Sequence, residues 1–337
     1  MPVVLKCPQC NAPLAPGRFA RSVVCSFCGA TVQIDPTAVS TARFREAHQE
    51  WNQPARYGYT RWCTLGDAHW APRKLIARGE ISDVYSAELA RFPTERVLLK
   101  VLRSEDDASL FDHEWEVLEK LQQSTAPGAG TLSARIPQPV ARGVIREGPH
   151  TGSRAMVLRW ASGFVHTLED VRRVYPSGIT PPASIWLWRR LLETLTFVHQ
   201  SGVVHGAVLP QHVLIQRNEH GAWLVGYSCA GAPEERLRAL CTRFQEFYPA
   251  ELLRSERLSP AADLRMSARC ISWVLGGDAA RGEVPASVPR PLAALIRRVA
   301  SEGAEHSLEA AWTLRERVGE VGRAAFGPPA FHPLVMP

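Results

Sequence analysis

The sequence predicts an α+β chain, with strands in its first half and helices in its second, behind a small metal-stapled cap. Three observations carry this reading. Two copies of a Cys-x-x-Cys turn, Cys7/Cys10 and Cys25/Cys28, open the chain. Short apolar segments rich in β-branched residues, separated by turn formers, fill residues 71–160. Longer stretches with apolar residues at helical spacing fill residues 161–322, the clearest at 182–200. A length of 337 residues suits one large domain with an appendage, or two to three smaller ones, and 45% hydrophobic with 21% charged content fits a globular protein.

The cap is expected over residues 1–35. Each Cys-x-x-Cys turn is followed by a residue that tolerates positive φ, Asn11 in one copy and Gly29 in the other. Such a turn aims backbone N–H groups at the sulfurs. The segments 21–24 and 31–34 read as short strands. Four thiolates from Cys7, Cys10, Cys25 and Cys28 suit tetrahedral zinc in a ribbon, and with four protein ligands the site is closed and structural. The duplication disfavours a redox pair or disulfides. Cys63, Cys229, Cys241 and Cys270 stand alone and are expected to be buried thiols.

Charge and composition narrow the function. The net charge is +6, nearly all of it from arginine, and the only lysines are Lys6, Lys74, Lys100 and Lys120. The basic residues are scattered among acids, and Arg18 and Arg21 of the cap form no basic stripe, so a protein contact is favoured over nucleic acid. No apolar run approaches the roughly 18 residues of a membrane helix. The opening Met-Pro-Val-Val-Leu-Lys-Cys is no secretion signal, and a cytoplasmic location without membrane attachment is expected.

Residues 36–70 read as a helical connector. Ser40 or Thr41 caps a helix running to about Trp51, with Phe44, Ala47 and Trp51 on one face. In residues 71–160 the stretch 74–89 reads as strand, turn, strand, and 96–102 as a strand buried on both faces apart from Lys100. A charged amine in such a strand needs a partner. The helix expected at 109–122 supplies one: Phe111, Glu114, Leu118 and Leu121 share a face, so Glu114 points inward while Glu116 and Glu119 point out. Residues 123–134 read as loop, and 136–140 and 155–160 as strands.

In residues 161–322 the helix at 182–200 buries Trp186, Leu187, Leu191, Leu195 and Val198. It delivers a loop opening on His205 with Pro210 at its middle, then two short strands around a turn at 218–221. Further helices follow Ser259 and cover 289–300 and 307–318. The Pro-rich tail, 323–337, is either a loose end or an extended strip docked on a groove.

These landmarks, in this order, resemble a protein kinase over about residues 72–322. Ala77, Gly79, Ser82 and Val84 stand at the signature positions of the glycine-rich loop, where only Gly79 keeps the glycine. Lys100 and Glu114 match the lysine–glutamate pair, Leu158 the gatekeeper, and Arg159, Trp160 and Ala161 the hinge. Tyr248-Pro-Ala-Glu251 resembles the end of an activation segment, and Asp263 the aspartate that braces the catalytic loop. The arginine expected to meet Glu251 is sought near Glu305-His306, where none stands.

The resemblance implies a bilobal protein-kinase-like fold, a β-rich N-lobe at 71–160 and a helical C-lobe at 161–322, behind the zinc ribbon. It also exposes departures. The catalytic aspartate falls on Ala207, the magnesium-binding asparagine on His212 and the Asp of Asp-Phe-Gly on Gly226. Ala207 and Gly226 offer no side-chain oxygen, and His212 suits a hard cation poorly. The expectation is therefore a catalytically inactive pseudokinase, a regulatory or scaffolding protein of a bacterial-type signalling system. It would bind protein partners, with a pocket (Gly79, Val84, Lys100, Glu114, Leu158, Trp160) that holds ATP weakly or not at all. One alternative is an ATP-dependent kinase-like enzyme with non-standard groups, for which Asp83, Glu80 and Glu147 are candidate acids. Another is a nucleic-acid-binding module acting through the ribbon. A histidine-based site at His205 and His212 is disfavoured, because no nearby carboxylate orients either ring.

Overall fold

The computed structural model describes residues 7, 9–10, 12–14, 22–33, 62–161, 163–216, 221–302, 310–330, 332 and 334–336. The expected connector helix, Asn11, Arg18, Arg21, most of the turn at 218–221 and the segment around 305–306 lie outside the described residues.

In the ribbon, β1 (Ser22–Val24) and β2 (Thr31–Gln33) pair antiparallel with Val23 opposite Val32. The next sheet has six strands: β3 (Cys63–Leu65), β4 (Ala68–Arg78), β5 (Ser82–Leu89), β6 (Phe92–Leu102), β7 (Gln138–Val144) and β8 (Arg154–Arg159). Their order is β3-β4-β5-β6-β8-β7, every pair antiparallel. Residues 63–70, read from sequence as connector, thus belong to this sheet. A three-residue strand carries too little periodicity to be recognised. The first strand reaches round to the chain beyond β7: Thr64 N donates to Glu147 O at 3.0 Å and Arg146 N to Thr64 O at 2.9 Å, satisfying backbone groups an open edge would expose.

Strand alternation gives β6 two different buried faces. Val97, Leu99 and Val101 pack with Cys63, Leu65, Trp70 and Val157 inside the curved sheet. Leu98 and Leu102 join Phe111, Leu118 and Leu121 of α1 (Ala108–Gln122) on the other. Lys100 shares this second face, which is why it meets a helix. The stretch 123–134, expected as loop, holds a short helix α2 (Ala129–Leu132) and most of a 3-10 turn (Ser133–Arg135).

The C-terminal half begins with β9 (Phe164–Thr167), which pairs with β10 (Val213–Gln216), itself paired with β11 (Ala222–Leu224). Its helices are α3 (Leu168–Val174), α4 (Pro181–Gln200), α5 (Ala250–Ser255), α6 (Pro260–Val274), α7 (Arg290–Glu302) and α8 (Ala310–Phe326). A reciprocal cap between Thr167 and Asp170 starts α3, and prolines in the first turns of α4 and α6 cost no helical hydrogen bond. The 20-residue α4 is the axis, buried along nearly its whole length, and Trp188 Nε1 donates to Ser267 Oγ on α6 at 3.1 Å. A β-rich N-terminal half and a helical C-terminal half, with the four-cysteine ribbon ahead of them, match the expected kinase-like architecture.

The tail docks. Trp186 Nε1 donates to Ala330 O at 3.1 Å, and the Tyr175 hydroxyl donates to Val335 O at 3.0 Å while accepting from Val335 N at 2.9 Å. Leu334 and Met336 are buried. The closing helix α8 runs to Phe326, so the tail begins later than residue 323.

Glu193 on α4 gathers three arginines from three elements. Arg135 and Arg190 reach Oε2 at 2.6 Å and Arg315 reaches Oε1 at 2.9 Å. Burial alone would raise this carboxyl, but Arg190 and Arg135 outweigh it and hold it at about 2, against 4.5 ordinarily. The sign follows from linkage: a depressed carboxylate stabilises fully above the unfolded value and loses that contribution as pH falls through the folded one. Stability should therefore drop between pH 4.5 and about 2 by about 3 kcal/mol. In Glu193→Gln, urea midpoints recorded across that range should show this acid limb flattened. An unchanged limb would place the acid sensitivity elsewhere.

Candidate nucleotide cleft and metal centre

The four ribbon cysteines converge, with all four sulfurs within 4.8 Å of one another. Cys7 and Cys28 lie 3.6 Å apart, as do Cys10 and Cys25, close to the roughly 3.8 Å that tetrahedral Zn–S bonds impose. Cys7 N donates to Ala12 O at 2.7 Å and Cys25 N to Ala30 O at 2.8 Å, repeating one turn twice. Gly29 takes the left-handed conformation the second turn needs (φ 79°). Burial raises the Cys7 thiol, yet backbone N–H groups of Cys10 and Gln9 outweigh it and bring the group down to about 7. Four soft donors at this spacing fit a metal ion such as zinc.

The ribbon is seated on the C-terminal half. The Phe27 ring meets Trp186 of α4 edge-on, centroids 4.0 Å apart, and the Arg190 guanidinium lies 5.0 Å over Phe27. Metal removal by a strong chelator is expected to unseat Phe27 and shift the Trp186 emission to longer wavelength, a change absent from Trp186→Phe. Emission that stays put after verified metal loss would show that the ribbon holds its shape without the ion.

In the cleft between the halves, Lys100 Nζ is ion-paired with Glu114 Oε2, as the strand and helix periods predict. Glu114 is buried, whereas Glu116 and Glu119 are exposed. Val84 and Met156 flank Lys100 in register on the neighbouring strands. Gly79 makes the tight turn between β4 and β5, its N–H donating to Ser82 O at 2.8 Å. Leu158 is buried in the core, and Trp160 donates its Nε1 proton to Phe164 O at 3.0 Å, fastening the link between the two sheets.

The loop after α4 is braced from below. Asp263 accepts from His205 N and Gly206 N, each at 2.8 Å, and lies 2.9 Å from His199 Nε2. Gly206 is required: at φ 71°, a Cβ there would lie 2.7 Å from Leu258 Cδ2 and 3.0 Å from Cys229 O. His205 is fully buried, with Nε2 donating to Val225 O at 3.1 Å and Nδ1 accepting from Ala207 N at 3.2 Å. Burial foremost lowers it to about 4, so it is neutral and structural.

His212 occupies the centre of the three altered positions. Its Nδ1 donates to Ala207 O at 2.8 Å, and its Nε2 accepts from Gln211 Nε2 at 3.2 Å. Burial lowers its pKa, and although the hydrogen bond to Ala207 O opposes this, the positive charge of Lys100 adds to the lowering. The ring lies against Gly226, where a Cβ would come within 2.7 Å of Cδ2 and 2.8 Å of Nε2. Ala207, His212 and Gly226 therefore form one packed unit. A divalent cation at this place finds a satisfied imidazole in the position of its oxygen ligands, so these three residues do not fit magnesium in the usual way.

The candidate acids separate. Asp83 faces Arg103 at 4.0 Å, on the N-terminal sheet. Glu147 accepts from Thr64 Oγ1 at 3.4 Å, where the sheet closes on itself. Glu80 alone of the three crosses to the C-terminal half, where the Cys241 thiol donates to its Oε1 at 2.9 Å. Cys241 is buried, as expected of an isolated thiol, but its contact with Glu80 and the part played by Gln211 are marked by no local pattern in the sequence. Glu251 does have an arginine partner: Arg265 of α6 is ion-paired with it, nearer in sequence than the segment searched.

No family model matches the chain. It is 25% identical over 231 residues to serine/threonine-protein kinase F of Synechocystis sp., covering 63% of this chain and 44% of that protein. It is also 25% identical over 171 residues to serine/threonine-protein kinase PknH of Mycobacterium bovis and of Mycobacterium tuberculosis, half of this chain and about a quarter of those proteins. The chain thus spans less than half the length of the curated relatives it matches. Fold and similarity together make this a protein-kinase-like chain with a four-cysteine cluster. The expectation that it is not an enzyme is corrected by these matches, since the relatives are kinases by name. The missing side-chain oxygens at Ala207 and Gly226 describe the site without deciding against activity. Among the described residues, no helix is long and apolar enough to cross a membrane.

Proposed function

We propose that the chain is an ATP-dependent, protein-kinase-like enzyme that works with non-standard groups in its cleft, and that zinc in the ribbon is structural. The observation that carries this reading is the Lys100–Glu114 ion pair. A lysine held in place by a buried glutamate is poised to meet the phosphates of a nucleotide lying under Gly79 and Val84, with its base against Leu158 and the backbone near Trp160. The names of the relatives support an acceptor hydroxyl on a protein. The ribbon, which shows no basic stripe, suits contact with a protein partner.

The test is nucleotide-induced thermal stabilisation of the full chain. A ligand that binds the folded state at a hundred times its Kd adds about 2.7 kcal/mol. ATP is expected to raise the Tm of the wild type by several degrees and that of Lys100→Ala by much less. Absence of any ATP-induced rise in the wild type would end this reading.

A further inference from the structure

Ala207, His212 and Gly226 on the floor of the cleft carry no acid, yet one hangs over it. A continuous line of hydrogen bonds starts at Ala207 O, passes through the His212 imidazole and the Gln211 amide, reaches the Cys241 thiol and ends on Glu80. Glu80 follows Gly79 in the turn between β4 and β5, so the N-terminal half delivers it from above. Gln211 Nε2 donates to Cys241 Sγ at 3.5 Å, which leaves the thiol proton for Glu80 Oε1. Burial first, and then Glu80 itself, push the Cys241 thiol up to about 12, so at neutral pH it stays protonated and acts as the donor. Two other carboxylates near the cleft are committed: Glu114 is paired with Lys100, and Asp263 is ringed by His199, His205 and Gly206. Asp83 stays on the N-terminal sheet, 4.0 Å from Arg103 and with Oδ1 buried and not hydrogen-bonded, and among the described residues it makes no contact with the C-terminal half like that of Glu80. Glu80 is exposed, and only its Oε1 carries a hydrogen bond among the described residues.

We propose that Glu80 is the general base of this cleft, taking the acceptor's proton from above in place of the carboxylate absent at Ala207; the proposal rests on the ATP-dependent reading. The S–H of Cys241 holds Oε1, which leaves Oε2 to take the acceptor's proton. In the step, the acceptor's O–H bond breaks and its proton passes to a Glu80 oxygen. The freed electron pair forms the new bond to the γ-phosphorus. The bond from that phosphorus to its bridging oxygen breaks, and ADP leaves with the pair.

Phosphate release from ATP, with water as the acceptor, tests this on the full chain in Mg²⁺ buffer. Glu80→Gln keeps the shape and removes the basic oxygen. It is expected to lower kcat about 100-fold or more while ATP raises its Tm as in the wild type, and Glu80→Asp should retain part of the rate. A Glu80→Gln variant within twofold of the wild-type kcat overturns the proposal, as does one that has lost ATP stabilisation, which would place Glu80 on the nucleotide. A wild type that is stabilised by ATP but releases no phosphate overturns the base assignment and leaves the nucleotide site standing. A wild type that ATP does not stabilise overturns both.

Discussion

Lys100→Ala is expected to lose about 3 kcal/mol of stability before any nucleotide is added. The variant leaves the Glu114 carboxylate buried between α1 and β6 without its cation, and the lysine it removes is itself largely buried. Breaking such a pair from one side costs more than the pair contributes, because the remaining charge keeps its desolvation penalty. The Tm should fall by several degrees. Adding Glu114→Gln to the same chain should restore part of the loss, since a neutral amide is cheaper to bury than an unpaired carboxylate. A double-mutant cycle read from urea midpoints checks this. Lys100→Ala that melts with the wild type would mean the pair is not held in the folded protein. The same substitution removes the positive charge that phosphates would meet, so intrinsic stability and ATP stabilisation must be measured separately.

The second large effect concerns Gly226 and His212. Gly226→Asp alone should lose about 2–3 kcal/mol, because its Cβ needs the space of the His212 ring, and pushing the ring aside breaks its bond to Ala207 O. His212→Asn alone vacates part of that space and should be milder. The double variant His212→Asn/Gly226→Asp should be more stable than the two single effects predict, by about 1–2 kcal/mol. It also places a carboxylate and an amide where oxygen ligands for a hard cation belong. Its ATP-induced rise in Tm should therefore depend on Mg²⁺ more strongly than that of the wild type. Strictly additive single effects would show that the two positions do not share one space.

The pairing of Lys100 with Glu114 was legible in the sequence because two periodicities constrain it. Alternation in β6 puts Lys100 on one buried face, and the helical repeat of α1 puts Glu114 on the face that meets it. The cysteine cluster was legible because duplicated spacing fixes the local turn, and each turn carries its own ligands. The backbone of the loop at His205 is braced by Asp263, as the resemblance implied.

What sequence could not give are contacts made by the assembled fold. Glu80 and Cys241 meet across 161 residues, so among three candidate acids nothing local favoured Glu80. The replacements at 212 and 226 look like two separate losses along the chain. In space they are one exchange, an imidazole filling the room a glycine leaves. Arg265 meets Glu251 from α6, whereas the resemblance implies a partner further along the chain. The strand at Cys63–Leu65 was read as connector since three residues cannot display a pattern.

The most direct test of the central claim is the fate of the ATP γ-phosphate. With labelled ATP, Mg²⁺ and the full chain, wild type and Lys100→Ala are compared at a temperature where both remain folded. The account predicts ATP-dependent release or transfer of label by the wild type and a loss of at least tenfold in Lys100→Ala. Equal rates in the two proteins, or no label moved by a wild type that ATP has stabilised, would contradict it.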